Sequence, residues 1–169
     1  MSGIIIYRSS YGSTRQYAEW LGEETGFPIY DQKSASIPWT DADVVVVGCP
    51  IIANKPFLSR WIQKQWDRMN GKRVYLFTTS GADPASAPVS DWIAAGLPQE
   101  ILSQIHSYPL PGRFEFATLN GLHKMMLRIG AVVLQDEGIK HQIKHPVDGV
   151  AKEKLGPLIE DIRSAEPAD

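Results

Sequence analysis

The sequence predicts an α/β fold built on an open, doubly wound parallel sheet. Three observations predict it. Short runs of β-branched and aromatic residues (IIIY at 4–7, VVVV at 44–47, KRVYLFT at 72–78) alternate with stretches whose apolar residues recur at helical spacing. The valine run is apolar at consecutive positions, which suits a central strand buried on both faces. Each of these strands ends in a short turn of small and polar residues, and open α/β sheets bind ligands outside the carboxyl ends of their strands.

The size and charge of the chain narrow the function classes. Its 169 residues, 43% of them hydrophobic, suit a single domain with a sizeable core. A net charge of −2 gives no general electrostatic case for nucleic acid, nor the strongly acidic surface that docks basic redox partners. The lone cysteine, Cys49, excludes an internal disulfide and any cysteine-ligated cluster made by one chain. No run of about 18 apolar residues is present to span a membrane. The chain enters its first strand almost at once, with no basic-plus-apolar leader, so the expected compartment is the cytoplasm.

Ile4 to Tyr7 form the first strand. The turn that follows, residues 8–15, holds Ser9, Ser10, Tyr11, Gly12, Ser13 and Thr14, and then Tyr17, Ala18 and Leu21 recur on one helical face. Strand, hydroxyl-rich turn and helix make a phosphate cradle: the helix N-terminus offers unpaired N–H groups and a favourable dipole, four hydroxyls add donors, and Gly12 allows close approach or positive φ. The same residue types also cap helices and form turns. The position after the first strand of a βα-repeating chain favours the cradle.

Gly26 ends the first helix, and Phe27–Asp31 reads as a short edge strand opened by Pro28. Residues 32–42 connect with at most one helical turn. After the valine strand, residues 49–56 read as a loop, and Pro56 is placed to open the next helix, with Phe57, Leu58, Trp61, Ile62 and Trp66 as its inward stripe. Gly71 stops that helix. The strand at 72–78 leads into a polar turn, 79–84. A helical segment at 87–104 is interrupted near Gly96-Leu97-Pro98, and Ile105–Pro109 with Gly112–Phe116 reads as a broken fifth strand. Residues 118–130 read as an amphipathic helix. From Val150 a final helix points Leu155, Leu158, Ile159 and Ile162 inward, and 165–169 form a tail. One domain therefore spans 1–169, with 109–148 as an insertion-like segment near the fifth strand.

Three loops have the right composition at the right strand ends: 9–14, 49–56 and 79–84. One phosphate cradle and two loops suited to clamping a planar ring describe a flavin mononucleotide site. Ser9-x-x-Gly12-x-Thr14 after a first strand resembles the phosphate loop of flavodoxins, and the similarity extends to Gly48-Cys49-Pro50 and to Leu76-Phe77-Thr78-Thr79-Ser80-Gly81. The resemblance covers roughly residues 3–85. It implies a flavodoxin-like three-layer sandwich with a five-stranded parallel sheet of order 2-1-3-4-5, helices on both faces, and FMN as cofactor. The implied contacts are Ser9, Ser10, Tyr11, Gly12, Ser13 and Thr14 on the phosphate. Pro50, Ile51, Ile52, Ala53 and Asn54, with Thr79, Ser80, Gly81, Ala82 and Asp83, lie on the ring. Neither ring loop contains the Trp or Tyr with which flavodoxins commonly sandwich the flavin; Ile51 and Ile52 are placed to cover one face instead. Residues 111–120 and the helix after them are similar to the flavodoxin-like menaquinone-dependent protoporphyrinogen oxidases, in which a segment near the fifth strand is thought to handle substrate or quinone.

The remaining chemistry-bearing residues have plainer readings. Cys49 is a small buried residue at a strand end, since a redox thiol would want a partner. Asp83 suits a flavin N–H or, before Pro84, an ordinary turn. His123, Lys124 and Arg128 read as a solvated helix face, with an anionic substrate or lipid headgroup as the alternative. His141 and His145 have ligand spacing if helical but no evident third ligand. The expected function is electron transfer or oxidoreduction with FMN, to a redox partner protein or a small-molecule or quinone acceptor. A protoporphyrinogen-oxidase-type enzyme is one alternative, for which peripheral membrane contact by 118–130 is the less favoured accompaniment. A flavin-free adaptor of the same fold is the other.

Overall fold

The computed structural model describes residues 1–114, 121, 122, 124, 125 and 147–164. Its strands are β1 (Gly3–Tyr7), β2 (Ile29–Asp31), β3 (Val44–Ile52), β4 (Lys55–Pro56), β5 (Arg73–Ser80), β6 (Ile105–Pro111), β7 (Arg113–Phe114) and β8 (Val147–Asp148). The helices are α1 (Ser13–Thr25), α2 (Ser59–Met69), α3 (Ala87–Gly96), α4 (Gln99–Leu102) and α5 (Gly156–Ser164), with single 3-10 turns at Trp39–Asp41 and Lys152–Leu155. The five long strands lie in the order β2-β1-β3-β5-β6, all parallel, which is 2-1-3-4-5 when those strands alone are counted.

The valine strand shows why a consecutive apolar run marks the sheet centre. Val45, Val47 and Cys49 pack with Ile62, Met69, Val89 and Ile93 beneath α2 and α3. Val44 and Val46 pack with Tyr17, Ala18, Leu21, Leu158 and Ile162 beneath α1 and α5. Successive side chains point to opposite faces of a strand, so a strand covered on both faces has no polar position to offer. The four predicted inward residues of the last helical stretch, Leu155, Leu158, Ile159 and Ile162, are all buried.

Several boundaries differ from the sequence expectation. β3 does not stop at Gly48 but continues to Ile52, turns through Ala53 and Asn54, and returns as β4, pairing Ile51 with Pro56 and Ile52 with Lys55. Both turn residues have positive φ (51° and 58°), the condition for a two-residue hairpin. Pro56 is therefore a strand residue rather than a helix opener, and α2 starts at Ser59. Phe57, expected in the inward stripe, lies in the connection, 47% exposed, with its N–H on the Pro50 carbonyl.

The fifth strand is not broken. β6 runs unbroken from Ile105 to Pro111 along β5, tolerating Pro109 and Pro111 because it is the sheet edge. Arg113–Phe114 belongs instead to a separate two-stranded antiparallel ladder with β8. Of the predicted helix at 118–130, residues 121, 122, 124 and 125 are helical, and Leu122 and Met125 are exposed there (60% and 53%). The rest of that stretch, including His123 and Arg128, lies outside the described residues, as do His141 and His145.

Candidate functional site

The three loops singled out in the sequence meet at the carboxyl end of the sheet. Thr79 of β5 is their junction. Its hydroxyl lies 2.9 Å from that of Thr14, 65 residues away on the first turn of α1, and its backbone is in register with Pro50 of β3 on one side and Leu110 of β6 on the other. Thr14 and Thr79 are buried, so this hydroxyl pair fixes the spacing between the phosphate loop and the turn after β5.

The hydroxyl-rich loop after β1 leads into an open helix start. Gly12 is the N-cap of α1 at φ +92°, and no side chain caps the helix. Its left-handed φ is one that an L side chain adopts only at a cost. The first backbone bond of the helix is Gln16 N–H to the Gly12 carbonyl, which leaves the N–H groups of Ser13, Thr14 and Arg15 directed out of the helix end. An anion seated there meets those donors and the positive end of the helix dipole.

The hydroxyls add to this set in a consistent way. Ser9 Oγ accepts the Gly12 N–H at 3.0 Å, and Ser13 Oγ accepts the Arg113 N–H at 2.9 Å. A hydroxyl that accepts keeps its own proton to donate. In the Thr14–Thr79 pair one proton serves the pair and the other is left over. Ser9, Ser13 and one threonine thus each retain a donor, and Ser10 stands exposed beside them. An acceptor-rich dianion matches a set of hydroxyl and amide donors of this kind. Two cations of this corner are engaged elsewhere: Arg15 Nε bonds Glu19 at 2.8 Å and Arg113 Nε bonds Asp148 at 2.8 Å.

The other two loops differ in composition. Pro50, Ile51 and Ile52 are half-buried along the end of β3, while Ala53 and Asn54 form the exposed hairpin turn. Ser80, Gly81 and Ala82 are half-buried after β5. Asp83 is exposed and closes a local turn, its Oδ1 accepting the Ala85 N–H at 3.0 Å and its carbonyl accepting from Ser86. This is the turn role weighed in the sequence; its second carboxylate oxygen is uncommitted by that turn. Thr78, within the motif after β5, faces away toward α2 and α3, and its buried hydroxyl has no hydrogen-bond partner among the described residues. Two features of the site lay beyond sequence reasoning: the Thr14–Thr79 bond and the arrival of Arg113 on Ser13.

Cys49 sits beside this corner but belongs to the core. Burial pushes its thiol up from 9.0 to about 12, against the opposing effect of the Leu58 and Phe57 N–H groups. The thiolate is the reactive form, so at pH 8 the buried group is held as the unreactive thiol. A disulfide reagent at pH 8 is expected to leave the folded protein unlabelled and to label one thiol after urea unfolding; rapid labelling of the folded protein would show that Cys49 is accessible. The folded value lies above the unfolded one. The associated stability is therefore complete below about pH 9 and is lost as pH rises from there toward 12.

The flavodoxin domain family matches residues 4–137, well over half of the chain. The chain belongs to that family. Among solved structures, a candidate flavoprotein of Bacteroides eggerthii DSM 20697 is similar over 64% of this chain and 85% of its own, with 19% identity and a TM-score of 0.50. A candidate flavoprotein of Bacteroides uniformis ATCC 8492 is similar over 65% of this chain and 88% of its own, with 18% identity and a TM-score of 0.48. A flavoprotein of Lactobacillus acidophilus NCFM, solved in complex with FMN, is similar over 65% of this chain and 91% of its own, with 13% identity and a TM-score of 0.47. No curated protein matches the chain in sequence. Family membership agrees with the sheet order. No helix among the described residues is long and apolar enough to cross a membrane.

Proposed function

We propose that the protein binds FMN and works as an electron-transfer or oxidoreductase member of the flavodoxin family. The observation that carries this reading is the donor set at the start of α1: an uncapped helix N-terminus behind Gly12, ringed by Ser9, Ser13 and the Thr14–Thr79 pair, which keeps one hydroxyl proton to donate as Ser9 and Ser13 each do. That set fits a terminal phosphomonoester. FMN, when bound, supplies the redox chemistry, and the protein supplies binding, orientation and tuning.

The chain's own residues have definable tasks in this reading. Gly12 and the amides of Ser13, Thr14 and Arg15 receive the phosphate. The Thr14–Thr79 bond would hold the loop after β1 and the end of β5 at a fixed spacing around the bound cofactor. Pro50, Ile51 and Ile52 would hold the ring with apolar surface and exclude water there, and Ser80, Gly81 and Ala82 would contact it from the turn after β5. No described residue is needed as an acid or base for electron transfer.

The deciding experiment is purification followed by titration with FMN. A yellow protein that releases FMN on acid treatment, or a colourless one that takes up FMN stoichiometrically, is the expected result. A folded protein that ignores added FMN would defeat the reading and leave a flavin-free adaptor of this fold. Turnover assays on the loaded protein with protoporphyrinogen and a quinone analogue then separate a dedicated oxidase from a carrier.

A further inference from the structure

The ladder of β7 and β8 is not needed to complete the parallel sheet, yet it is fastened to the phosphate loop. From Pro111 onward the chain turns across the start of α1. The Gly112 N–H bonds the Ser80 carbonyl at 2.6 Å, and the Arg113 N–H bonds Ser13 Oγ at 2.9 Å. The return strand closes the same corner. The Gly149 N–H bonds the Gly112 carbonyl at 3.2 Å, and Tyr17 OH donates to the Pro111 carbonyl at 2.9 Å while accepting the Ala151 N–H at 3.3 Å. Burial raises the Tyr17 pKa, so this hydroxyl keeps its proton for Pro111.

Arg113 and Asp148 are one of the two register pairs that join the two strands. Asp148 uses both carboxylate oxygens: Oδ2 accepts from Arg113 Nε at 2.8 Å and Oδ1 from the Val150 N–H at 3.1 Å. Both side chains are about half exposed (51% and 52%), where an ion pair adds little to global stability. The residue whose side chain makes this pair is the one whose backbone N–H reaches Ser13 Oγ.

We propose that Arg113 and Asp148 are positioning residues of the phosphate site: their ion pair keeps the Arg113 N–H on Ser13 Oγ, which directs the Ser13 proton to the phosphate of the bound flavin. The proposal rests on the FMN reading above. It predicts discrimination between FMN and riboflavin, which share the ring and differ in the phosphate alone.

The test compares affinities for FMN and riboflavin in the full chain. Asp148→Ala is expected to weaken FMN binding about three- to tenfold and to leave riboflavin affinity unchanged. In a Ser13→Ala background the same change is expected to have no further effect, because the residue it acts through is gone. Arg113→Ala, which keeps the backbone N–H but removes the clasp, is expected to mimic Asp148→Ala, and it serves as a second variant should Asp148→Ala fold poorly. Equal losses for both flavins would mean a merely structural ladder and overturn the proposal. So would undiminished FMN affinity, or a loss that adds in full to that of Ser13→Ala. Wild-type protein that binds neither flavin would instead overturn the FMN reading, and this proposal with it.

Discussion

Replacing Ser9 and Thr14 together by alanine is expected to weaken FMN binding by about 3 kcal/mol, roughly a hundredfold. Hydrogen bonds to a charged group contribute about 1.5–3 kcal/mol each; Ser9 supplies one such donor, and Thr14 belongs to the hydroxyl pair that supplies another. Ser9→Ala also releases the Gly12 N–H from its 3.0 Å bond, loosening the turn whose φ of +92° shapes the cradle. Thr14→Ala has a separate cost in the folded protein. It leaves the buried Thr79 hydroxyl without its 2.9 Å partner, worth about 1–3 kcal/mol of stability.

Two measurements divide those effects. Thermal melting of the flavin-free variants reports the orphaned hydroxyl, and Thr14→Ala combined with Thr79→Val should recover much of the lost stability, since both polar partners are then gone. Isothermal titration reports the cofactor, and the loss of FMN affinity should persist in that combination. FMN affinity within threefold of wild type in the Ser9→Ala/Thr14→Ala protein would reduce the turn to a helix start and nothing more.

Gly48→Ala is expected to cost about 2–3 kcal/mol of stability, although it adds only one carbon. Gly48 and Phe77 are register partners on the two central strands. A Cβ built on Gly48 would stand 2.1 Å from Phe77 Cζ and within 2.7 Å of two further ring atoms. The ring cannot swing aside: Phe77 is fully buried and meets Tyr17 edge-on at 6.5 Å, and Tyr17 anchors α1 to β6. In a chain of this size each kcal/mol corresponds to about 2–4 °C in melting temperature, so a drop of several degrees should be plain. Gly48→Ala with Phe77→Leu should lose less than the two single changes summed, because the smaller side chain makes room. A Gly48→Ala protein that melts with the wild type would show that the pair is not tightly packed.

Much of the fold was legible because it rests on local rules. The valine run, the helical stripe of Tyr17, Ala18 and Leu21, and the buried face of Leu155, Leu158, Ile159 and Ile162 each carry their periodicity in the sequence, and each is buried as expected. The break at Gly96-Leu97-Pro98 separates α3 from α4 for the reason any proline does: it resists a helical residue before it. The site was legible as three loops at three strand ends, since hydroxyls, glycines and short polar turns are local features too.

The misread boundaries share one cause. Residues 49–56 read as a loop with Pro56 opening a helix, yet Pro50 and Pro56 each lie in a strand: Pro56 faces Ile51 across a hairpin turned by two residues at positive φ, one of them an alanine with no intrinsic taste for it. Phe57 lost its place in the helix stripe for the same reason. Likewise Arg113 was read as a continuation of the fifth strand, although its partner is Asp148, 35 residues later in the chain. Strand partners at such separations leave no periodic trace in either segment.

The sequence by itself determined the α/β class, the order in which strands and helices follow, which faces are apolar, and the phosphate-loop composition around Gly12. These follow from propensity, burial pattern and turn chemistry, all of which act over a few residues. Tertiary structure alone decided that Thr14 would meet Thr79, that Gly48 would yield its space to Phe77, and that Arg113 would arrive at Ser13 held by Asp148. Those are contacts between residues far apart along the chain. They depend on the twist and register of the whole sheet, which no single stretch of sequence contains.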